Sequence, residues 1–307
     1  MSRHVREEPT TDGMRAEHRL GLLLCAPAAA VMLVVAGWPI IYSFLLSFQR
    51  YDLRFPQARG WIGLDNYATV LTNHYWWVAF GVTVLIMVVS VAIELVLGMA
   101  LAVVMHRTLV ARGLLRTAVL IPYGIVSVVA AYGWKYAWTP GTGWLAGFLP
   151  ENSAPLTQQI PALGIIVLAE VWKTTPFMAL LLLAGLALIP DELHRAAEMD
   201  GASRWQRFIH ITLPLMKPAI LVALLFRALD AFRIYDNIYV LTNGAQSTAS
   251  VSITTYHNLI GGLNLGIGST LAVLIFLTVA LIAFIFIKVF GASSPGTAPG
   301  ADPKERR

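Results

Sequence analysis

The chain has 307 residues, of which 57% are hydrophobic and 13% are charged. A soluble domain usually carries about 25% charged residues, so this composition excludes an ordinary soluble domain and indicates a polytopic membrane protein. The single cysteine, Cys25, excludes a disulfide framework or a cysteine metal cluster within the chain, and the net charge of +5 does not require a nucleic-acid partner.

Six hydrophobic runs are candidates to cross a bilayer, which takes roughly 20 apolar residues per helix. In chain order they cover residues 20–46, 77–105, 114–138, 162–188, 215–232 and 265–290. The first run is too long for a cleaved signal peptide, and the fifth is short and interrupted by Arg227 and Asp230. The pattern predicts an all-α protein with six transmembrane helices.

The positions of Lys and Arg predict which way the chain is oriented. Fifteen of the 22 lie in the two terminal segments, the connection between the second and third runs, and the loop between the fourth and fifth; four lie on the other side. Both termini and that central loop are therefore predicted to be cytoplasmic. This divides the chain into a cytoplasmic tail, a first helix with an external loop, a five-helix core and a second cytoplasmic tail, at residues 1–19, 20–75, 76–290 and 291–307.

The central loop, residues 190–218, is too polar to cross the membrane but contains helix signals. Pro190 and Asp191 favour a short helix over residues 191–199, and Gly201 is predicted to end it in a left-handed conformation. Ser203 and Gln206 form a capping-box pattern that begins a second helix. Both helices carry apolar residues, so the loop either lies on lipid headgroups or presents a surface that a partner protein holds.

Charged residues inside the predicted spans are Glu94, Lys135, Glu170, Lys173, Arg227 and Asp230. Each costs about 2.5–3.5 kcal/mol at a helix centre, so each is expected to face a partner group or water. Two couples, Glu170 with Lys173 and Arg227 with Asp230, have the i, i+3 spacing that places both members on one helix face. They are either structural ion pairs or the lining of a polar path between the fourth and fifth helices, whereas Glu94 and Lys135 are interpreted as structural or interfacial.

Aromatic residues accompany these charges, and aromatic faces beside hydrogen-bonding groups suit a sugar. The aromatic cluster at the end of the third run is instead typical of the belt at a membrane interface. The residues assigned to a translocation path are Glu170, Trp172, Lys173, Thr174, Phe177, Arg227, Asp230 and Ile234.

Motifs of catalysis and metal binding are absent from the sequence. There is no G-x4-G-K-[ST] phosphate loop, no HExxH, no CxxC and no GxSxG. The chain is therefore predicted not to be an enzyme and to hold no metal or cofactor of its own.

The central loop carries the spaced pattern AA–x2–DGA–x5–F–x4–LP–x3–P, which begins at Ala196 and ends at Pro218. This pattern resembles the EAA loop of ABC-importer permeases, which in that family docks into a cleft on the ATPase subunit. Arg195 stands where the family usually has Glu. The resemblance implies an ATPase-coupling surface made of Leu193, Arg195, Ala196, Ala197, Met199, Asp200, Gly201, Ala202, Arg204, Trp205 and Phe208.

The run TAVLIPYGIV at residues 117–126, the run AEVWKTTPFM at 169–178 and the LTNG after the fifth span resemble the carbohydrate branch of these importers, the trehalose-importer permeases in particular. That resemblance implies the type I ABC importer permease fold with cytoplasmic coupling helices, in a bacterial inner membrane. It also implies a second permease, two ATPase subunits that bind ATP and Mg, and an extracytoplasmic lipoprotein that delivers trehalose, besides contact with membrane lipid. An ion-coupled secondary transporter and a structural membrane subunit are the alternatives.

Overall fold

The computed structural model describes residues 11–107, 112–150 and 153–291. The predicted C-terminal tail lies outside the described residues from position 292 onward, as do the first ten residues of the predicted N-terminal tail. The first helix begins at Thr11, inside the segment predicted to be that tail.

The described residues form fourteen α-helices and two short strands. The first half of the chain contains α1 (Thr11–Met32), α2 (Trp38–Ser47), β1 (Gln49–Arg50), β2 (Gly60–Trp61), α3 (Asp65–Thr72), α4 (His74–Arg107), α5 (Arg112–Gly124) and α6 (Ser127–Ala137). The second half contains α7 (Gln159–Leu186), α8 (Asp191–Met199), α9 (Arg204–Arg207), α10 (Leu213–Leu215), α11 (Lys217–Ala231), α12 (Asp236–Leu241), α13 (Val251–Tyr256) and α14 (Leu265–Gly291).

Four helical segments of the described chain are long and apolar enough to cross a membrane without interruption, namely Leu23–Ser47, His74–Arg107, Gln159–Leu186 and Leu265–Lys288. Two further spans are bent pairs, and counting each pair as one span gives the predicted six. The pair α5 and α6 bends by 83°, and the helical segments on either side of Met216 bend by 66°.

The third predicted span is not one continuous helix. Pro122 lies in the last turn of α5, which ends at Gly124. Val126 then takes extended backbone angles, φ −56° and ψ 131°, before α6 begins. Because extended backbone cannot continue the helical hydrogen-bond ladder, the span turns sharply here. The break exposes backbone carbonyl groups in the interior of the protein.

The first span is the least enclosed part of the structure. Leu23, Leu24 and Leu33 are each 70–73% exposed, and the segment packs on the rest of the chain mainly where α2 meets α14. Beyond it, the amide of Asn66 donates to the carbonyl oxygens of Ser47 and Gln49, both at 2.9 Å, and so fixes the β1–β2 hairpin to α3. The first span therefore leaves a long apolar surface for lipid or another chain.

Helices α4 and α7 form the most extensive helix pair among the described elements. Gly98 lies at their closest approach, where a Cβ atom added to it would lie 2.7 Å from Cγ of Met178. Met178 is fully buried within a core that also contains Met99, Leu182 and Met216. The pair thus holds the middle of the bundle at a fixed spacing.

Replacing Gly98 with Ala is expected to lower the thermal unfolding midpoint of the detergent-solubilised protein. Overpacking a core typically costs 1–3 kcal/mol, which exceeds the gain of about 1 kcal/mol when Ala replaces Gly in a helix. Gly81 on the same helix is the matched control, because a Cβ there meets nothing within 4 Å. Gly81→Ala should leave the midpoint unchanged or raise it, and equal midpoints for the two variants would contradict the close-packing argument.

Candidate translocation site and coupling loop

Arg227 on α11 is the centre of a buried polar cluster inside the bundle. Its side chain is fully buried and donates through Nε and Nη2 to the two carboxylate oxygens of Glu94 on α4, at 2.5 and 2.9 Å. Nη2 also lies 3.3 Å from Oε1 of Glu170 on α7, and Nη1 lies 2.5 Å from Asp230. One guanidinium group therefore joins three helices through three carboxylates, a geometry that its planar fork of donors allows.

The carboxylates have further donors besides Arg227. Thr174 donates its hydroxyl to Oε1 of Glu94 at 2.8 Å, and Asn237 donates its amide to Oε2 of Glu170 at 2.6 Å. Because each buried carboxylate meets at least two donors, the cluster satisfies the requirement that buried charge be paired and hydrogen-bonded. Glu170 and Asp230 form the edge of the cluster, where it opens into a cavity.

The cavity has a volume of about 590 Å³ and lies between the α5–α6 break, the middle of α7 and the junction of α11 with α12. The residues that line it are Tyr123, Ile125, Val126, Ser127, Glu170, Lys173, Thr174, Asp230, Arg233, Ile234, Tyr235, Asp236 and Asn237. Its volume is within the range of small-molecule sites. Its wall offers carboxylates that accept hydrogen bonds, an ammonium group and an amide that donate them, and tyrosine rings with apolar faces.

Lys173 connects this cavity to the broken third span. Its Nζ donates to the carbonyl oxygen of Ile125 at 2.7 Å and lies 3.4 Å from that of Tyr123, so the ammonium group meets carbonyls freed where α5 ends. A cation at a helix C-terminus is electrostatically favourable. Lys173 also lies 5.8 Å from the centre of the Tyr123 ring. Of the two alternatives left open for Glu170 and Lys173, the structure does not form the ion pair between them, because Glu170 pairs with Arg227 on another helix.

The sequence-predicted path residues separate into two groups. Glu170, Lys173, Thr174, Asp230 and Ile234 line the cavity. The remaining three are not among its lining residues: Arg227 is fully buried in the cluster, Phe177 stacks on Tyr123 with ring centres 5.3 Å apart, and Trp172 packs edge-on against Trp134 with ring centres 6.0 Å apart.

The sequence-based assignment omitted eight of the thirteen residues that line the cavity. They are Tyr123, Ile125, Val126, Ser127, Arg233, Tyr235, Asp236 and Asn237. The first four follow Pro122 around Gly124, and a Pro and a Gly this close together within an apolar run indicate a break in the helix. Glu94, interpreted as structural or interfacial, is a direct partner of Arg227 in the buried cluster. Lys135, given the same interpretation, donates to the carbonyl oxygen of Val240 at 2.8 Å and stabilises the end of α12.

The central loop has the local structure that its sequence predicts. Helix α8 covers Asp191–Met199, and Gly201 follows it with φ +80°. Ser203 caps α9 with the reciprocal Gln206 hydrogen bonds of a capping box. A five-residue π-helix at Phe208–Thr212 then leads to α10 and α11.

The residues predicted to contact an ATPase are largely open to solvent on this loop. Met199, Trp205 and Leu193 are 88%, 69% and 43% exposed, and Ala196, Asp200 and Gly201 are exposed as well. Arg195 and Arg204 are exposed, whereas Ala197, Ala202 and Phe208 are half-buried. The stacked rings of Trp205 and Phe208 connect the exposed surface to the bundle core.

Arg207 behaves differently from the other arginines of the loop. Its Nη1 pairs with Glu198 at 2.9 Å and donates to the carbonyl oxygen of His194 at 3.3 Å. The guanidinium group of Arg207 therefore links α9 to α8.

The comparisons with known proteins agree with this architecture. Residues 22–293 match the family model described as "Binding-protein-dependent transport system inner membrane component". The chain is 63% identical to the trehalose transport system permease protein SugA of Mycobacterium tuberculosis, over 94% of each chain. It is 41% identical to the trehalose/maltose transport system permease protein MalF of Thermococcus litoralis, over 89% of this chain and 94% of that one.

A solved structure supports the fold. One chain of a bacterial alginate ABC transporter, solved with an alginate pentasaccharide-bound periplasmic protein, matches with a TM-score of 0.78 at 21% identity, covering 95% of this chain and all of that one. At this identity the likeness concerns the fold. The sequence, the six spans and the family match together lead to one conclusion: the chain belongs to the family of binding-protein-dependent transport system inner membrane components.

Proposed function

We propose that this chain is the permease subunit that forms one wall of the path for trehalose in an ATP-driven importer. The observation that carries the proposal is the cavity in the middle of the bundle, whose wall combines carboxylate, ammonium, amide and tyrosine groups. A disaccharide presents hydroxyl donors and acceptors around apolar C–H faces, and this wall offers a partner to each. The 63% identity to a trehalose permease supports trehalose as the sugar.

The remaining parts of the importer are also proposed. A second, related permease completes the path, two ATPase subunits bind ATP and Mg and dock on residues 190–218, and an extracytoplasmic lipoprotein delivers the sugar. The central loop and both termini face the cytoplasm, in keeping with the excess of Lys and Arg on that side. Arg195, Arg204 and the exposed apolar residues of the loop supply the docking surface.

The alternative of ion-coupled transport is less well supported by the site. A carboxylate that carries protons across the membrane must alternate between charged and neutral forms. Glu94 and Glu170 are instead held by Arg227 and by neutral donors, which favours a fixed structural charge. Uptake is therefore expected to require ATP and to be insensitive to protonophores.

Reconstitution tests the proposal directly. The chain, its sister permease, the ATPase and the binding lipoprotein are co-purified and placed in proteoliposomes, and uptake of labelled trehalose is followed with and without ATP. We expect ATP-dependent accumulation of trehalose. Accumulation of a different solute, or uptake by this chain alone along an ion gradient, would contradict the proposal.

Replacing Lys173 with Met tests the cavity itself. The variant keeps an unbranched apolar side chain, one atom shorter than that of Lys, but removes its charge and its bonds to the carbonyls at the end of α5. Uptake per assembled transporter is therefore expected to fall about tenfold, equivalent to 1.4 kcal/mol. Lys135→Met is the matched control, because Lys135 also donates to a backbone carbonyl within the membrane but does not line the cavity. Equal uptake by the two variants would show that Lys173 has no role in the path.

A further inference from the structure

Three tyrosines whose rings contact one another form a cluster beside the cavity, which we call the tyrosine platform: Tyr235, Tyr239 and Tyr256. Tyr235 and Tyr239 stack with ring centres 5.3 Å apart and planes 18° apart. Tyr256, from α13, meets both rings at 5.3 and 5.4 Å, tilted against the first and edge-on to the second. Contacts of this geometry fix the orientation of all three rings.

The platform is continuous with the cavity. Tyr235 is itself part of the cavity wall, next to Asp236 and Asn237. Tyr239 lies four residues after Tyr235, near the far end of α12. At the rise of an α-helix, this spacing is about 6 Å along the helix axis. Helix α12 follows the end of α11 that is remote from the central loop. The platform therefore extends the cavity toward the end of the bundle opposite the central loop.

The platform also remains open. Tyr239 is 39% exposed and Tyr235 and Tyr256 are half-buried, so the cluster is not enclosed in the core. Its neighbours at the cavity mouth include the exposed Arg233 and the half-buried Asp236, which add charged hydrogen-bonding groups to the rim. An aromatic belt in contact with lipid explains exposed tyrosines, but not their connection to a polar cavity.

We propose that the tyrosine platform is an outer carbohydrate subsite, on which a pyranose ring stacks as it passes to the cavity. The apolar C–H face of a pyranose ring fits an aromatic ring, and its hydroxyl rim meets the tyrosine hydroxyls and the charged groups nearby. The inference rests on the proposed transport of a sugar. It adds a second position to the path, one turn of helix beyond the cavity.

Paired variants at Tyr239 test the subsite in the assembled transporter. Tyr239→Ala is expected to lower uptake of labelled trehalose about three- to tenfold, the range for losing one aromatic contact, while Tyr239→Phe retains the ring and most of the activity. Tyr75→Ala is the control, because Tyr75 is 78% exposed at the start of α4 and outside the cavity. Unchanged uptake with Tyr239→Ala, or an equal loss with Tyr239→Phe, would overturn the proposal.

Photolabelling locates the bound sugar without relying on the rate of uptake. A diazirine derivative of trehalose, delivered by the binding protein to the wild-type complex, should label a peptide within residues 235–256, and excess trehalose should suppress the labelling. Labelling confined to other segments would overturn the subsite. So would a loss of the sister permease from purified Tyr239→Ala complexes, since the residue would then serve the interface between permeases.

The two proposals fail in different ways. If the wild-type complex transports a sugar other than trehalose, the assigned substrate is wrong, and the same variants are measured with that sugar and its diazirine derivative. If wild-type transport is normal and the Tyr239 variants match it, the platform alone is refuted.

Discussion

Gly201→Asp is expected to abolish ATP-driven uptake while the chain remains folded in the membrane. Gly201 takes φ +80° between α8 and α9, and a Cβ atom built on it meets nothing within 4 Å. The cost within this chain is therefore limited to the left-handed backbone penalty, about 1–2 kcal/mol. A larger effect must come from a partner that approaches the exposed glycine closely, and the added carboxylate would prevent that approach.

Gly141→Asp is a closely matched control for this experiment. Gly141 also has φ +80° and also has open space around a built Cβ, but it lies in the connection between α6 and α7. Both variants should reach the membrane and co-purify with the sister permease, and only Gly201→Asp should lose the ATPase subunit or its sugar-stimulated hydrolysis. If both variants keep wild-type uptake and hydrolysis, the loop does not couple the ATPase to the membrane spans.

The structure of the central loop was predictable because it is determined by local signals. Pro190, Gly201 and the Ser203–Gln206 capping box each act within four residues along the chain, and the helix bounds they predict are the observed ones. Arg207 is the exception. Its partners lie on α8, and the spacing along the sequence does not reveal a contact between two helices that fold back on each other.

The candidate cavity was predictable only in part, for the same physical reason. Hydropathy located the spans, but the α5–α6 break depends on the backbone conformation at Val126 and on the ammonium group of Lys173, which arrives from another helix. The i, i+3 rule paired Glu170 with Lys173 because it considers one helix at a time. In the folded protein Arg227 binds Glu94 on α4 in a bidentate geometry and also contacts Glu170 on α7, and these contacts between helices override the local pair.

The bonding of Arg227 also explains how the cavity keeps its shape. Glu94, Glu170 and Asp230 belong to three different helices and repel each other without a shared cation. With Arg227 between them, α4, α7 and α11 are held at one level of the bundle, next to the close α4–α7 contact at Gly98. Two members of this cluster, Glu170 and Asp230, line the cavity, and the buried Arg227 behind them holds both in place.

Arg227→Met is accordingly expected to have the largest effect on stability of any single change in the bundle. The substitution leaves the fully buried Glu94 and the buried Glu170 without their cation, and breaking a buried ion pair typically costs 3–5 kcal/mol. We expect little mature protein in the membrane, and a clearly lowered thermal unfolding midpoint for what is purified in detergent.

Two further variants test whether the loss of stability comes from the unpaired buried charge or from any substitution in the cluster. Adding Glu94→Gln to Arg227→Met removes the buried charge that was left unpaired, so the double variant should unfold at a higher midpoint than Arg227→Met alone. A double-mutant cycle measures this coupling between the two residues. Asp230→Asn should leave the midpoint nearly unchanged, because the Asp230 side chain is 62% exposed and exposed ion pairs contribute little, although uptake should fall since Asp230 lines the cavity. An Asp230→Asn variant as unstable as Arg227→Met, or a double variant less stable than Arg227→Met alone, would show that the cluster is not held together by the buried pairing of Arg227 with Glu94.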